Sequence, residues 1–185
     1  MKIIDLIQGS AKWLQFRQNH IGASDSAAIL GLSPWTSSKR LWEEKVLGWE
    51  KPMNANMKRG QEMESIAREA YQLQTGRLVT PMVGEHDLFP FLSASFDGLT
   101  EDLKNGVEIK CGKASHKIAE NGEIPSYYYA QLQHQMYVAG LQEIDYYSFD
   151  GQRGILFTVP FDSVFVTQIV EKELEFWDSV VNSTP

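Results

Sequence analysis

The chain has 185 residues, of which 43% are hydrophobic, and this is enough apolar material to close one core. We therefore predict a single domain over residues 1–185. The apolar runs are short and interrupted, so we expect no membrane association. The one cysteine, Cys111, cannot form an internal disulfide and gives no sign of an oxidising compartment, so we expect a cytoplasmic protein.

The net charge of −7 argues against a non-specific nucleic-acid binder, because such affinity comes mainly from lysine and arginine residues that neutralise phosphates. The objection weakens if acidic residues cluster as metal ligands while basic residues line a groove, since local potential steers a substrate. Composition alone leaves the function open.

The first third of the chain is predicted to be helical. Three serines begin short helices as N-caps, and glycines end two of these helices and a longer one over residues 54–75. The caps are Ser10, Ser24 and Ser37, and the terminating glycines are Gly31, Gly48 and Gly76.

In the middle of the chain the pattern changes to short runs rich in apolar and β-branched residues, which predict strands. These runs cover residues 78–83, 89–96 and 107–110, with Asp97-Gly98 and Asn105-Gly106 as turn dipeptides. A helix from Pro125 to Gly140, strands over 145–149 and 154–159, and a last helix over 162–181 follow. The order predicts an α/β fold, with a central mixed β-sheet flanked by α-helices.

The most informative polar residues lie on two consecutive predicted strands. Asp97 ends one strand, and Glu108 and Lys110 alternate on the next, where side chains two apart share a face, roughly 6.6 Å apart. If the strands pair, Asp97 and Glu108 can converge on one cation, with the backbone carbonyl of Ile109 as a further oxygen ligand. Such a cation activates water and offsets phosphoryl charge, while the Lys110 ammonium orients the water or stabilises the transition state. The pattern predicts a magnesium-dependent phosphodiesterase.

Each half of this pattern has an ordinary structural alternative. Asp-Gly is a common turn dipeptide, and Glu-x-Lys is typical of the solvated face of a sheet. The combination in this order, on consecutive strands and with polar residues at useful spacings on both sides, favours a site.

Two helices offer further polar groups. Gln133 and Tyr137 share a helix face after Lys110, so they either hold water or phosphate beside the cation or border the core. Glu64 lies near the edge of the apolar face of the long helix, as a solvated carboxylate or as a ligand of a second metal ion. Gln131 and Gln135 lie on other faces, and we do not expect them in the site.

Six motifs occur in an order that resembles one known family. They are Trp13-x-x-x-Arg17, Ile21-Gly22-Ala23-Ser24-Asp25, Gly60 with Glu64 and Ala67-Arg68, Ser95-Phe96-Asp97-Gly98-Leu99, Glu108-Ile109-Lys110-Cys111 and Ala130-Gln131-Leu132-Gln133. Together they resemble the phage lambda exonuclease and YqaJ-like recombinase family, within the restriction-endonuclease-like superfamily of PD-(D/E)xK nucleases. The resemblance covers nearly the whole chain. Phe96 stands where the motif has proline, and its ring either stacks on DNA or fills the core.

The resemblance implies a role for each matching residue of the acidic group. Asp97, Glu108 and the carbonyl of Ile109 are similar to the ligands of a catalytic Mg²⁺, for which Mn²⁺ would substitute. Glu64 is similar to the family's additional carboxylate, consistent with two ions per site. Lys110 resembles the catalytic lysine. By the same resemblance, Gln133 is the glutamine that supports that lysine.

The resemblance also implies a pocket for a terminal 5′-phosphate. Arg17, Ser24 and Ser95 resemble its residues, a guanidinium and hydroxyls suited to a phosphate dianion. Ser24 at a helix start would add backbone donors and the positive end of the helix dipole.

The activity implied by the resemblance is an Mg²⁺-dependent exonuclease that degrades one strand of linear duplex DNA from the 5′ end and leaves 3′ single-stranded tails. It also implies a phage or prophage origin, a bacterial host cell, a homotrimer and a single-strand DNA-annealing partner. This chain is shorter than the lambda enzyme, which bears on the trimer and on processivity. Two alternatives remain: a structure-specific or single-strand endonuclease of the same fold, and a non-catalytic DNA-binding accessory module.

Other residues carry weaker indications. Trp35, Trp42 and Trp49 are predicted core residues, although Trp35 follows Pro34 in a predicted loop and could instead wedge or stack at a DNA end. Residues 113–117, which include two lysines, are predicted to form a loop after the site, where they either touch the DNA backbone or are solvated.

Overall fold

The computed structural model describes residues 1–48 and 55–184. Within these residues, seven strands form one sheet in the order β1-β3-β4-β5-β6-β7, with β2 added beside β4. The strands are β1 (Lys2–Ile4), β2 (Ile21–Gly22), β3 (Thr80–Glu85), β4 (Leu92–Leu99), β5 (Gly106–Lys110), β6 (Glu143–Phe149) and β7 (Gly154–Pro160). The β2–β4 and β5–β6 pairs are parallel and the other pairs are antiparallel, so the sheet is mixed, as predicted.

Helices lie on both faces of this sheet. They are α1 (Ala11–Gln18), α2 (Ser26–Ile29), α3 (Ser38–Leu47), α4 (Ala55–Thr75), α5 (Lys113–Glu120), α6 (Ser126–Ala139) and α7 (Ser163–Val181). Helix α6 packs on β4, with α2 and α7 against it, whereas α4 packs on β5. The α/β fold predicted from the sequence is confirmed.

Two apolar clusters fill the space between the layers. One surrounds Leu92, Phe96 and Leu132, and the other surrounds Ala67 and Ile109. Phe96, at the position of the motif proline, is fully buried, so its ring fills the core and is not available to stack on DNA.

Most helix boundaries follow the predicted caps. Ser10 Oγ accepts a hydrogen bond from the Trp13 amide and Ser37 Oγ accepts one from the Arg40 amide. Gly48 has a φ of 70° and ends α3 in the left-handed region, which glycine adopts without steric cost. The predicted start of the long helix, at residue 54, lies outside the described residues, and so does Trp49.

The assignment of Asp97-Gly98 to a turn was wrong, because both residues lie inside β4. Gly98 is required there by packing: a Cβ atom at this position would lie 2.5 Å from the Val79 side chain and 2.8 Å from that of Val107. The chain reverses later, where the Thr100 amide donates to the Asn105 carbonyl at 2.9 Å.

Several short elements also differ from the prediction. Ser24 does not cap a helix, because it lies within a 3-10 turn (Ala23–Asp25), and Asp25 takes the N-cap position of α2. The predicted loop after the site is helix α5. Trp42 packs partly buried against the core, whereas Trp35 is 62% exposed. Among the described helices, none has the length and apolar character needed to cross a membrane.

Candidate functional site

Two carboxylates face each other where β4 and β5 diverge. The strands pair through Gly98 with Val107 and Leu99 with Gly106, and the same register places Asp97 opposite Glu108. Asp97 Oδ2 accepts a hydrogen bond from the Ile109 amide at 2.7 Å. In residues 1–48 and 55–184, its other oxygen, Oδ1, accepts no hydrogen bond. The predicted convergence of these two side chains is therefore present in the structure.

The Glu108 carboxylate is fixed by three donors. Lys110 Nζ lies 2.5 Å from Oε1, Gln131 Nε2 lies 2.6 Å from the same oxygen, and Gln135 Nε2 lies 2.6 Å from Oε2. The Glu108 side chain is only 4% exposed, so these bonds hold it in one orientation. Charge-assisted hydrogen bonds of this kind are stronger than those between neutral groups.

The two glutamines that contact Glu108 were not expected in the site. Gln131 and Gln135 are four residues apart on α6, and Tyr128 lies three residues before Gln131, so all three share one helix face. Lys110 Nζ lies 4.6 Å from the centroid of the Tyr128 ring, on the same side. The i, i+3, i+7 spacing of these polar residues indicates that they share one helix face, although it does not indicate which element that face meets.

Gln133 does not reach the site and was wrongly placed there. Its Nε2 donates to the Pro160 carbonyl at 2.9 Å, and its Oε1 accepts from the Asp162 amide at 2.8 Å. This buried amide therefore joins the end of β7 to the start of α7. Residues two apart on a helix point about 200° apart, which is why Gln133 and Gln131 serve different parts of the fold.

Tyr137 shares the face of Gln133 and also lies away from the site. Its ring stacks on His86 at a centroid distance of 4.6 Å and packs against the core. The structural alternative considered for this residue is the observed one.

Glu64 is held beside the carboxylates by an arginine with no role assigned from the sequence. Arg68 Nη2 donates to Glu64 Oε1, and Arg68 Nε donates to the Asp97 carbonyl at 2.6 Å. The two residues are four apart on α4, a spacing at which opposite charges pair. Glu64 is partly buried and lies at the edge of the site.

Burial and neighbouring carboxylates raise the proton affinity of two acidic side chains, Asp97 and Glu64. Burial raises the pKa of Asp97 well above its ordinary value, and the Glu108 and Glu64 carboxylates add to that effect. Burial also raises the pKa of Glu64, and Glu108 adds to it, against the opposing effect of Arg68. The region therefore concentrates negative charge that a bound cation would offset.

This donor set fits a hard divalent cation. Carboxylates and backbone carbonyls are the ligands that Mg²⁺ prefers, and it keeps several waters. Among the described residues, no three His, Cys, Asp or Glu side chains form a ready-made metal cage. A cation would therefore use Asp97, Glu108 and the Ile109 carbonyl with water, whereas the Glu64 carboxylate is paired with Arg68.

The predicted phosphate-binding residues open into the same cavity. Arg17 Nη2 donates to Ser24 Oγ at 2.9 Å, and Trp13 Nε1 donates to Ser95 Oγ at 2.9 Å. Arg17, Ser24 and Ser95 line a cavity of about 140 Å³, whose lining also includes Asp97, Glu108 and Gln131. The structure thus brings the guanidinium, the hydroxyls and the two carboxylates together.

A buried ion pair fixes Arg17 from behind. Asp25 Oδ1 lies 3.4 Å from Arg17 Nη2, and Asp25 Oδ2 accepts from Lys45 Nζ at 2.8 Å. Lys45 also donates to the carbonyls of Arg17 and His20, at 2.7 and 2.6 Å. Burial opposes the charged form of Asp25, but Lys45 and Arg17 hold its pKa below the usual value. No local pattern indicates this role of Lys45, because its partners lie 20 to 28 residues away.

The fold is shared with solved structures of exonucleases. The chain superposes on an alkaline exonuclease, LHK-Exo, from Laribacter hongkongensis with a TM-score of 0.82 and 25% identity, covering 95% of this chain and 94% of that one. A structure of LHK-Exo in complex with dAMP gives the same TM-score at 24% identity, over 95% and 94% of the two chains. A phage-related exonuclease from Haemophilus somnus 129PT has a TM-score of 0.66 at 14% identity, over 90% of this chain and 96% of that one, and shows the fold alone.

The sequence comparison agrees with the structural one. The chain is 27% identical over 180 residues to the YqaJ protein of Bacillus subtilis (strain 168), covering 92% of this chain and 56% of that protein, so it spans little more than half of its relative. The profile of the YqaJ-like viral recombinase domain matches residues 12–142, which include every residue of the cavity except Gln8. The chain therefore belongs to the YqaJ-like viral recombinase family.

Proposed function

We propose that this protein is an Mg²⁺-dependent DNA exonuclease that removes nucleotides from the 5′ end of linear duplex DNA and leaves 3′ single-stranded tails. The observation that carries the proposal is the single cavity in which Arg17, Ser24 and Ser95 face the carboxylates of Asp97 and Glu108. A terminal phosphate and the next phosphodiester along the strand would thus meet different groups of one site.

The relatives support this proposal. LHK-Exo is an alkaline exonuclease, and it has been crystallised with dAMP, a mononucleotide of the kind that a DNA exonuclease releases. The family whose profile matches this chain is also the one that the sequence motifs resemble.

The cation would be held by Asp97, Glu108 and the Ile109 carbonyl. When bound, it would lower the pKa of a water molecule and offset charge on the phosphoryl group. Gln131 and Gln135 would keep Glu108 oriented during this, because their amides already hold both of its oxygens.

Lys110 acts as a fixed positive charge. Burial opposes its charged form, but the nearby carboxylates, Glu108 foremost, raise its pKa above the ordinary value for lysine. A protonated lysine is a poor proton acceptor and a good hydrogen-bond donor, which favours a role for Lys110 as a donor. Its ammonium orients the attacking water or stabilises the charge that develops on the phosphate.

The 5′-phosphate pocket explains how the enzyme would repeat the reaction. Water forms a bond to phosphorus and the bond from phosphorus to the 3′ oxygen of the leaving nucleotide breaks. The released nucleotide keeps its 5′-phosphate, and the shortened strand begins with a new one. Arg17, with Ser24 and Ser95, would bind this new group as it bound the previous one.

The negative net charge does not oppose this function. Asp25 and Glu108 are buried and paired with cations, so part of the acidic total is already neutralised. Arg17 and Lys110 remain partly exposed, with exposed side-chain fractions of 33% and 20%. A cation bound by Asp97 and Glu108 would offset the remaining negative charge at the cavity, so the net charge of the chain does not by itself exclude a phosphate from it.

Digestion of end-labelled duplex DNA tests the proposal. With Mg²⁺, wild-type protein should shorten a 5′-phosphorylated linear duplex and release mononucleotides, whereas the Asp97→Ala variant should not. Labels at the 5′ and the 3′ end, tested separately, should show early loss of the 5′ label. Unchanged DNA, or an Asp97→Ala variant as active as wild type, would refute the proposal.

A covalently closed circular duplex separates the alternatives. An exonuclease that needs an end leaves the circle intact, while cleavage of the circle would favour an endonuclease of the same fold. Binding without any cleavage, in Mn²⁺ as well as in Mg²⁺, would favour a non-catalytic DNA-binding module. The homotrimer and the single-strand annealing partner stay predictions, and light scattering on the purified protein tests the first of them.

A further inference from the structure

Three aromatic side chains form a continuous surface next to the candidate site. We call Trp35, Tyr127 and Tyr128 the aromatic shelf. The Trp35 and Tyr127 ring centroids are 4.8 Å apart in an edge-to-face arrangement, those of Tyr127 and Tyr128 are 4.5 Å apart, and those of Trp35 and Tyr128 are 6.5 Å apart. Mutual ring contacts of this kind fix the orientation of each member.

The inner end of the shelf touches the site. Tyr128 lies under the Lys110 ammonium, with Nζ 4.6 Å from the ring centroid, and the same ammonium contacts Glu108 at 2.5 Å. From Lys110 the shelf runs outward through Tyr127, which is partly buried, to Trp35, which is 62% exposed. If the phosphate of a substrate lies at Lys110, the groups next to that phosphate would therefore come within reach of the Trp35 indole ring.

The exposed indole is held in place by its own loop. Ser33 Oγ accepts hydrogen bonds from the amides of Trp35 at 3.3 Å and of Thr36 at 3.2 Å. Pro34, the residue before the tryptophan, has its φ angle restricted by its ring. Beside the ring, Ala28, Ile29 and Gly31 line part of a surface cleft of about 450 Å³. A single exposed hydrophobic residue needs no special explanation, but one pinned beside a candidate active site and packed on two further aromatic rings does.

We propose that the aromatic shelf is a nucleobase-binding site, on which a base at the DNA end stacks while its phosphate lies at Lys110. The inference rests on the proposed function, because it takes DNA to be the substrate. The three shelf residues carry no charge, so they suit the flat π-face that every base offers, while the cations at the cavity suit the phosphates. Stacking on Trp35 would hold a base out of the duplex and would be tolerant of sequence.

A fluorescent base analogue provides the test. A 5′-phosphorylated duplex carries 2-aminopurine at its first or second 5′ position, and Ca²⁺ replaces Mg²⁺ so that binding is observed without cleavage. Wild-type protein should quench the 2-aminopurine emission, because stacking does so. The Trp35→Ala variant should lose most of the quenching and bind roughly tenfold more weakly, whereas Trp35→Phe, which keeps a ring, should retain most of both.

Two controls make the result specific. Leu88→Ala removes another strongly exposed hydrophobic side chain and should change neither quenching nor affinity. A duplex with an abasic site at the probed position should bind wild type and Trp35→Ala equally, because there is no base to stack. Circular dichroism should confirm that each variant folds.

The outcomes separate this inference from the proposed function. If wild type gives no quenching, or if Trp35→Ala quenches and binds like wild type, the shelf is not a base-binding site, even if DNA is cleaved in Mg²⁺. If quenching depends on Trp35 but no cleavage occurs in Mg²⁺ or Mn²⁺, the base-binding site stands and the exonuclease assignment fails.

Discussion

Gln131 and Gln133 lie two residues apart on one helix, yet we expect their replacement by alanine to affect different properties. Gln133→Ala should reduce stability, and Gln131→Ala should reduce activity. Gln133→Ala removes two buried hydrogen bonds and leaves the Pro160 carbonyl and the Asp162 amide without that partner. Each lost bond is worth about 1 kcal/mol, and buried groups left unpaired add to the cost, so we expect a loss of about 3 kcal/mol in the free energy of unfolding. For a chain of this size, this lowers the melting temperature by about 6–12 °C.

Gln131→Ala should instead chiefly impair catalysis, with a smaller loss of stability because Glu108 Oε1 keeps Lys110 as a partner. Glu108 would lose one of its three donors, and Lys110 would lose the amide oxygen that lies 3.3 Å from its Nζ. Removing a partner that orients a metal ligand reduces activity or metal affinity by roughly 10- to 100-fold.

The assays are thermal unfolding followed by circular dichroism, and initial rates on a 5′-phosphorylated duplex measured well below either melting temperature. The Gln133→Ala protein should be less stable but nearly as active per folded molecule as wild type. A stable and inactive Gln133→Ala protein, together with a fully active Gln131→Ala protein, would refute the placement of the two side chains.

Four further predictions address the phosphate pocket, the cation site and the core. Arg17→Ala should digest 5′-phosphorylated and 5′-hydroxyl duplexes at similar rates, and a preserved preference for the phosphate would contradict the pocket. Lys45→Met should lower the free energy of unfolding by about 3–5 kcal/mol in urea titrations, because it leaves the Asp25 carboxylate buried without its closest cation. Asp97→Asn should have a higher melting temperature than wild type in the absence of divalent cations, because it removes one of the mutually repelling carboxylates. Addition of Mg²⁺ should raise the melting temperature of wild type but not that of Asp97→Asn. An equal Mg²⁺-dependent increase in both proteins would place the ion elsewhere. Burial opposes the charged form of His134, but Glu173 raises its pKa above 6.5 in the folded protein. The stability that this histidine contributes is therefore complete below pH 6.5 and is lost as the pH rises through the folded pKa. His134→Gln should flatten this decline of stability with pH, and parallel pH profiles for the two proteins would contradict the prediction.

The parts of the site that lie on paired strands could be predicted from the sequence. Asp97 and Glu108 occupy positions whose side chains a hairpin register brings together, so knowledge of the strands was sufficient. The caps at Ser10 and Ser37 were equally local, because each depends on an amide three residues away.

The parts that depend on how a helix is rotated could not be predicted in the same way. Gln131 and Gln133 both lie in an apolar helix that is buried nearly all round, so polarity does not indicate which face meets the sheet. The continuation of β4 through Gly98 could not be predicted for a similar reason. The close approach of Val79 and Val107, which excludes any side chain at Gly98, is a tertiary contact. Lys45 reaches Arg17 and Asp25 from another helix, and nothing local to it indicates that contact.

The claim on which the proposed function depends is that Asp97 and Glu108 hold a divalent cation within reach of a phosphate. Crystals soaked in Mn²⁺ test this directly, because the ion has a measurable anomalous signal. We predict a peak in contact with both carboxylates and the Ile109 carbonyl, next to the cavity lined by Arg17 and Ser24. A fully occupied Mn²⁺ peak elsewhere, with none between Asp97 and Glu108, would contradict the account.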